Sequence, residues 1–156
     1  MIGGKIQNYR NILRRYIRDY GENEDINRAV QVLERAKRDV LKAQDKTELI
    51  GYEGMASNAY FEVLPILILN QKTDFPFHGR NRRPPKDAVN AMLSFAYTLI
   101  ANDVAAALET VGLDPYVGFL HTLRPGRTSL ALDMMEELRA YLGDRFILSL
   151  INKRQI

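Results

Sequence analysis

The chain has 156 residues, of which 46% are hydrophobic and 26% charged, and its formal net charge at neutral pH is +3. This composition predicts one soluble globular domain and excludes an intrinsically disordered chain, and we find no apolar run of membrane-spanning length. The chain has no cysteine, which excludes disulfides and thiolate metal sites, so any metal must be bound by carboxylate and imidazole groups, as hard divalent cations are.

Apolar residues at helical spacing predict two helices in the first part of the chain. One stripe runs from Ile6 to Tyr20 and ends near Gly21. The next helix begins after an N-cap at Asn23 or Asp25 and carries apolar residues to Val40. The N-terminal segment has no apolar signal core, so we expect a cytoplasmic protein.

A third helix is predicted from about Thr47 to Ile68, with Pro65 shortening or kinking it. Gly51 and Gly54 are unfavourable inside a helix, which indicates that something approaches the backbone closely there. Glu53 lies between them, beside the apolar stripe. It is either an acid at the helix edge, facing water or an arginine, or a ligand for a bound group.

Residues 70–86 lack periodicity and contain three prolines and a glycine, which predicts a long loop. Long loops inside compact domains are more often functional than merely connecting. Its basic residues are Arg80, Arg82, Arg83 and Lys86, and they are interleaved with aromatic side chains. Such a set either binds a phosphate backbone and stacks a base, or only solubilises the surface.

The remaining chain is also predicted to be helical. After the two prolines at 84 and 85, a strongly apolar helix runs to Gly112, and we expect it to be the central and most buried helix. Asp114 and Pro115 are expected to open a short helix reaching His121, residues 123–127 form a turn, and Thr128 or Ser129 caps a last helix to about Ile151. No strand pattern and no internal repeat is present, so the predicted fold is all-α, with about five to seven helices around the central apolar helix.

His121 and the acids of the last helix are further candidates for chemistry. His121 is either a hydrogen-bonded structural residue or a ligand. Asp133, Glu136 and Glu137 form either a solvated helix face near a helix N-terminus or part of a site. A divalent ion that cuts or joins phosphodiesters uses a few oxygen ligands and tolerates one imidazole, a set that Glu53, His121 and Asp133 would supply. Because these three lie on separate segments, only the fold can bring them together.

Three blocks of sequence resemble the CRISPR-associated endonuclease family that integrates new spacers. Residues 51–61 (GYEGMASNAYF) resemble its glutamate motif, and residues 77–100 resemble its Arg-Pro-Pro loop and central helix. Residues 114–140 resemble its histidine-then-aspartate block. The resemblance covers nearly the whole chain, and the order and spacing of the blocks are more specific than any single motif.

This resemblance implies a chemistry and its residues. Glu53, His121 and Asp133 would coordinate a catalytic Mn²⁺ or Mg²⁺, and Glu136 stands where many members have a further acid. The family is a DNA nuclease and transesterase, in which the 3′ hydroxyl of a prespacer attacks a phosphodiester of the CRISPR repeat, in an assembly with a small partner protein. Apart from the resemblance, the local positive charge of the loop and of the turn leads us to expect that DNA is bound by Arg80, Arg82, Arg83, Lys86, Arg124 and Arg127.

Members of the family are much longer and begin with a β-rich N-terminal domain, through which the two protomers of a homodimer largely meet. We therefore expect residues 1–156 to be the helical catalytic domain of a longer protein, able to fold alone but poor at integration. Two other hypotheses stay open. One is a helical DNA-binding module without catalysis, in which the acids are structural, and the other is an interaction domain whose Arg-Pro-Pro loop docks a peptide.

Overall fold

Residues 1–81, 83–122 and 124–156 are described in a computed structural model, and no strand occurs among them. Their helices are α1 (Ile2–Tyr20), α2 (Glu24–Val40), α3 (Lys46–Leu67), α4 (Ala88–Thr110), α5 (Ser129–Leu138), a π-helical segment (Arg139–Asp144) and α6 (Arg145–Asn152). The last three are continuous along the chain, so the described residues form five helical rods. The predicted all-α fold is confirmed.

Local sequence signals set most helix boundaries. Asn23, Asp45 and Asp87 are the N-caps of α2, α3 and α4, and each side chain accepts a hydrogen bond from the backbone three residues later. Gly21 ends α1 with φ of 92°, a conformation that glycine adopts without strain. Pro65 lies inside the last turns of α3 and does not end the helix.

The core lies where α1, α2 and α3 pack together, and α5 and the π-helical segment also pack against α1. Tyr9 of α1 stacks on Tyr60 of α3 with ring centroids 3.9 Å apart, and both are buried. The side chain of Glu137 of α5 lies over Gly4 of α1, where a Cβ would be 2.5 Å from it. This packing brings the inner face of α1 next to α3 and α5, which carry the candidate acids.

Helix α4 is less buried than its apolar run predicts. Val89, Leu93, Ala96 and Tyr97 are buried, whereas Phe95 is 66% exposed. The apolar residues of α4 surround the helix, so a neighbour on one side cannot cover all of them. By length and composition α4 is apolar enough to cross a membrane, whereas we found no apolar run of that length in the sequence. The core helix of a soluble protein passes the same test.

The short helix expected between Asp114 and His121 is absent from the described residues 111–122, which form turns and bends. Asp114 accepts a hydrogen bond from the backbone of Tyr116, as in an Asx turn. The backbone N–H groups of residues 119–121 all donate to the carboxylate of Asp133. Because those donors are occupied by a side chain of α5, they cannot form the ladder of a helix.

Candidate functional site

The side chains of His121 and Asp133 form a pair. Asp133 is fully buried near the middle of α5, and its Oδ1 lies 2.6 Å from the His121 Nδ1 atom. The same carboxylate accepts hydrogen bonds from the backbone of Phe119 at 2.6 Å, Leu120 at 2.8 Å and His121 at 3.1 Å. Asp133 therefore fixes both the His121 ring and the segment that carries it.

Burial acts to raise the pKa of Asp133, but the hydrogen bonds from Leu120, His121 and Phe119 outweigh it and hold the pKa below its usual value. The segment can approach Asp133 because residue 118 is glycine: a Cβ there would lie 2.7 Å from the backbone of Ser129 and 2.9 Å from the Asp133 carboxylate. Asp133 is thus an ionised, fully hydrogen-bonded anchor at neutral pH.

A second cluster joins α1, α3 and α5. Glu53 of α3 accepts a hydrogen bond from Lys5 Nζ and another from Ser57 at 2.8 Å. Glu136 of α5 lies 2.7 Å from the same Lys5 Nζ and 3.0 Å from Arg139. Glu53 and Glu136, from two different helices, therefore share one cation.

The Lys5 ammonium is charged in this environment. Burial acts to lower its pKa, and the neighbouring Tyr9 and Glu136 oppose that effect, together with Glu53, so that the pKa is raised above its usual value. Arg139, which is also buried, supplies the second positive charge of the cluster.

The structure therefore arranges the predicted ligands in two pairs, His121 with Asp133 and Glu53 with Glu136. Among residues 1–81, 83–122 and 124–156, no group of three or more histidine and acid side chains is placed so as to hold a metal ion. The donor types nonetheless fit a hard divalent cation, since two carboxylates meet at one positive charge and a histidine has its Nδ1 fixed by a carboxylate. That Glu53, His121 and Asp133 share one cation stays a prediction.

A basic cleft of about 350 Å³ lies beside His121. Among the described residues, its lining includes the arginines Arg80 and Arg83 from the long loop, Arg127 from the turn before α5 and Arg139 from the π-helical segment, and it also includes His121. Tyr97 of α4 lies at its base, and its ring is contacted by the guanidinium groups of Arg80 at 5.3 Å and Arg139 at 5.0 Å. The loop and the turn that the sequence marks as basic thus meet around the candidate histidine.

Two other predicted DNA-binding residues lie outside this cleft. Lys86 and Arg124 are exposed and do not line this cleft among the described residues. Arg82 lies outside the described residues. Arg80 also has a structural role, because it donates to Asn90 at 2.8 Å and to Ser94 at 3.2 Å.

Sequence reasoning missed several residues that hold the site. Lys5 lies on the apolar stripe of α1, three residues after Ile2. This position in the sequence could have indicated that its charge is buried. Asn90, fully buried in the first turn of α4, donates to the Gly79 carbonyl and accepts from Arg80, so it fixes the basic loop. No sequence pattern marked Asn90.

Within the described part of the chain, no atom lies close to Gly51 or Gly54, and the approach of a bound group to the backbone there stays a prediction. A Cβ at either position would meet no atom within 4 Å.

A family profile and curated proteins of known name indicate the same family for this chain. The protein-family profile described as "CRISPR associated protein Cas1" matches residues 1–156. A curated CRISPR-associated endonuclease Cas1 from Leptospira interrogans is 47% identical over 159 residues, which covers 100% of this chain and 62% of that protein. Another from Chlorobaculum tepidum is 51% identical over 156 residues, which covers 98% of this chain and 46% of that protein. The chain thus spans only part of the length of these relatives.

Solved structures agree with the sequence relatives. A Cas1 protein from Thermotoga maritima superposes with a TM-score of 0.81 at 30% identity, covering 99% of this chain and 46% of that one. A chain of a Cas6-RT-Cas1–Cas2 complex gives a TM-score of 0.84 at 28% identity, covering 99% of this chain and 16% of that one. A casposase bound to an integration product gives a TM-score of 0.78 at 27% identity, and the match covers 99% of this chain and 42% of that one.

Proposed function

The chain belongs to the Cas1 family of CRISPR-associated proteins, and from this premise we propose that it is the helical catalytic part of a metal-dependent DNA endonuclease and integrase. Its substrate would be DNA, cut or joined at phosphodiester bonds during the insertion of spacers into a CRISPR repeat, and its place of action the cytoplasm. The curated relatives carry the name endonuclease, and one structural neighbour is bound to an integration product.

One observation carries the proposal: a histidine whose Nδ1 is fixed by a buried carboxylate lines the same cleft as four arginines. Guanidinium groups bind phosphate oxygens in bidentate geometry, so this cleft fits a nucleic-acid backbone. A carboxylate on Nδ1 selects the tautomer and makes Nε2 the nitrogen that can bind a metal. The cleft therefore combines groups that fit the phosphate backbone of a nucleic acid with a histidine that can bind a metal.

We propose that Mn²⁺ or Mg²⁺ is bound by Glu53 and His121 with the acids of α5. The contacts favour different roles for those acids. Glu136 meets Glu53 at one cation, which supports Glu136 as the second carboxylate ligand. Asp133 accepts from three backbone N–H groups and holds the His121 ring, which supports a role in positioning that ligand. When bound, such a metal stabilises charge on the phosphate and promotes deprotonation of the attacking hydroxyl.

The protein side chains would do the remaining work. Arg83 and Arg127 would hold the phosphates next to His121, and Arg80 and Arg139, stacked on Tyr97, would keep the base of the cleft positively charged. Positioning of this kind lowers a reaction barrier by fixing the reacting groups. By analogy with the Cas1–Cas2 complexes among its structural neighbours, we further propose Cas2 as the protein partner of the longer protein.

The test is Mn²⁺-dependent cleavage of a branched or repeat-containing DNA by the wild type, His121→Ala and His78→Ala. The chain has two histidines, and His78 is exposed in the loop, so it is a matched control. We expect His121→Ala to lose cleavage by about a hundredfold or more, as removal of a metal ligand would, and His78→Ala to retain it. Retention of cleavage by His121→Ala would remove His121 from the catalytic site, and DNA binding in all three proteins without metal-dependent cleavage would favour the non-catalytic DNA-binding module.

A further inference from the structure

Lys5 is a charged side chain buried on the inner face of α1. Its side chain is 2% exposed, and it follows the stripe that also contains Ile2, Ile6 and Tyr9. Its Nζ atom lies between carboxylates from two helices, contacting Glu53 and lying 2.7 Å from Glu136. A buried amine needs such partners, because an isolated charge away from water is strongly unfavourable.

Four charged side chains of the described residues contact one another at this point. Glu53 and Glu136 contribute two negative charges, and Lys5 and Arg139 contribute two positive ones. If Lys5 were removed, the cation that remains among these four side chains would be Arg139, which lies against the other oxygen of Glu136. Lys5 therefore offsets the repulsion between two acids that contact the same ammonium group.

We infer that Lys5 is an internal counter-cation that competes with the divalent ion for the carboxylates of Glu53 and Glu136. This inference rests on the proposed metal site. A divalent ion would need the oxygens that the ammonium now contacts, and two cations next to each other at that point repel. Binding of the metal therefore displaces Lys5 from at least one carboxylate, which lowers the affinity of the protein for the metal and keeps the acids together until metal arrives.

The competition predicts the sign of a mutational effect. Methionine has nearly the length of lysine, carries no charge and packs well in apolar surroundings, so Lys5→Met removes the competitor while filling its space. We expect calorimetry with Mn²⁺ alone to show at least about tenfold tighter binding in Lys5→Met, because a repulsion at contact distance exceeds that factor even at the effective dielectric of a protein surface. Lys37→Met is the matched control, because Lys37 donates to Gln7 and does not contact the acids, and it should bind Mn²⁺ as the wild type does.

A stability measurement gives a second readout. Lys5→Met should unfold at a lower temperature than the wild type in EDTA, and Mn²⁺ should raise its unfolding temperature more than it raises that of the wild type. A variant that is only structurally damaged would lose stability without gaining from the metal. If Lys5→Met does not fold, Lys5→Gln, which keeps a hydrogen-bond donor without the charge, is measured in the same way.

Equal or weaker Mn²⁺ binding in the Lys5 variants, with normal binding by the wild type, would overturn this inference alone and would make Lys5 a residue that positions the acids. Absence of Mn²⁺ binding in the wild type, in both Lys5 variants and in Lys37→Met would overturn the proposed metal site as well.

Discussion

At the scale of single residues, the two acids of α5 that stand three positions apart have different surroundings. Asp133 is bound to His121 and to three backbone N–H groups, whereas Glu136 lies between Lys5 and Arg139. The sequence shows both acids on one helix face and cannot tell which is a ligand and which supports a ligand. The contacts made by each carboxylate supply that distinction.

This distinction predicts unequal effects on metal binding. In Asp133→Asn the amide oxygen can still accept hydrogen bonds, so His121 is held less well but not released, and Mn²⁺ affinity should fall about 10- to 100-fold. Glu136→Gln loses a ligand and should show no measurable binding of Mn²⁺ by calorimetry. The reverse order, with Glu136→Gln binding more tightly than Asp133→Asn, would make Asp133 the ligand.

The arginines of the cleft give a second prediction at this scale. Replacing Arg83 and Arg127 with alanine should weaken binding to all DNA sequences alike and reduce the salt dependence of binding by about 0.9 for each phosphate that the variant no longer neutralises. We choose this pair because Arg80 also holds Asn90 and Ser94, so its loss would disturb the loop itself. DNA binding is measured by fluorescence anisotropy across a series of salt concentrations.

The double variant Lys86→Ala and Arg124→Ala removes the same charge outside the cleft and serves as the control. Equal loss of affinity in the two double variants would mean that net charge, and not the cleft, determines binding.

At the scale of the elements, local sequence predicts the helices well. It fails where a side chain distant in sequence determines the backbone conformation. The caps at Asn23 and Gly21 and the spacing of apolar residues place α1 to α3 within a few residues of their bounds. The sequence predicts a helix leading into His121, and the chain forms turns there, because Asp133 on a later helix takes the N–H groups. No pattern inside the segment contains that information.

The π-helical segment is also missed from sequence, because the predicted last helix runs through it without interruption. Its Gly143 allows close contact with Tyr97, where a Cβ would lie 2.9 Å from the ring. Asp144, fully buried at its end, accepts a hydrogen bond of 2.5 Å from the Tyr97 hydroxyl. The segment thus anchors the aromatic ring against which Arg80 and Arg139 pack.

Asp144 makes stability depend on pH. Burial raises its pKa to about 6, against the opposing effect of the hydrogen bond from Tyr97. Because the pKa in the folded state is above that of the unfolded chain, the folded state binds more protons between about pH 4 and this value, so stability falls as pH rises through that window. Asp144→Asn should lose this dependence while its amide oxygen still accepts from Tyr97.

The measurement is the free energy of unfolding in urea for the wild type and Asp144→Asn from pH 4 to 8. As pH rises to about 6, the free energy of unfolding of Asp144→Asn should increase relative to that of the wild type. Above that pH the gain should stay constant, at a value on the order of 3 kcal/mol. Asp103→Asn, at an exposed position of α4, should follow the wild type throughout. A constant difference at all pH values would show that Asp144 has an ordinary pKa in the folded protein.

At the scale of the whole molecule, the fold brings together groups that are far apart in sequence. Lys5 comes from α1, Glu53 from α3 and Glu136 from α5, and the basic cleft combines the long loop with the turn before α5. The residue types of the candidate site could be predicted from their chemistry and from the resemblance of three blocks. Their arrangement into two pairs, with a lysine between the glutamates, could not, because it depends on how closely α1 approaches α3 and α5.

The central claim is that Glu53 belongs to a site for a divalent cation, and calorimetric titration of Mn²⁺ into the wild type, Glu53→Gln and Glu62→Gln tests it most directly. Glu62 is an exposed acid of the same helix, so its variant controls for the loss of one negative charge on α3. We predict that the wild type and Glu62→Gln bind Mn²⁺ with the same affinity and that Glu53→Gln shows no measurable binding. Binding of Mn²⁺ by Glu53→Gln with the affinity of the wild type would contradict the account.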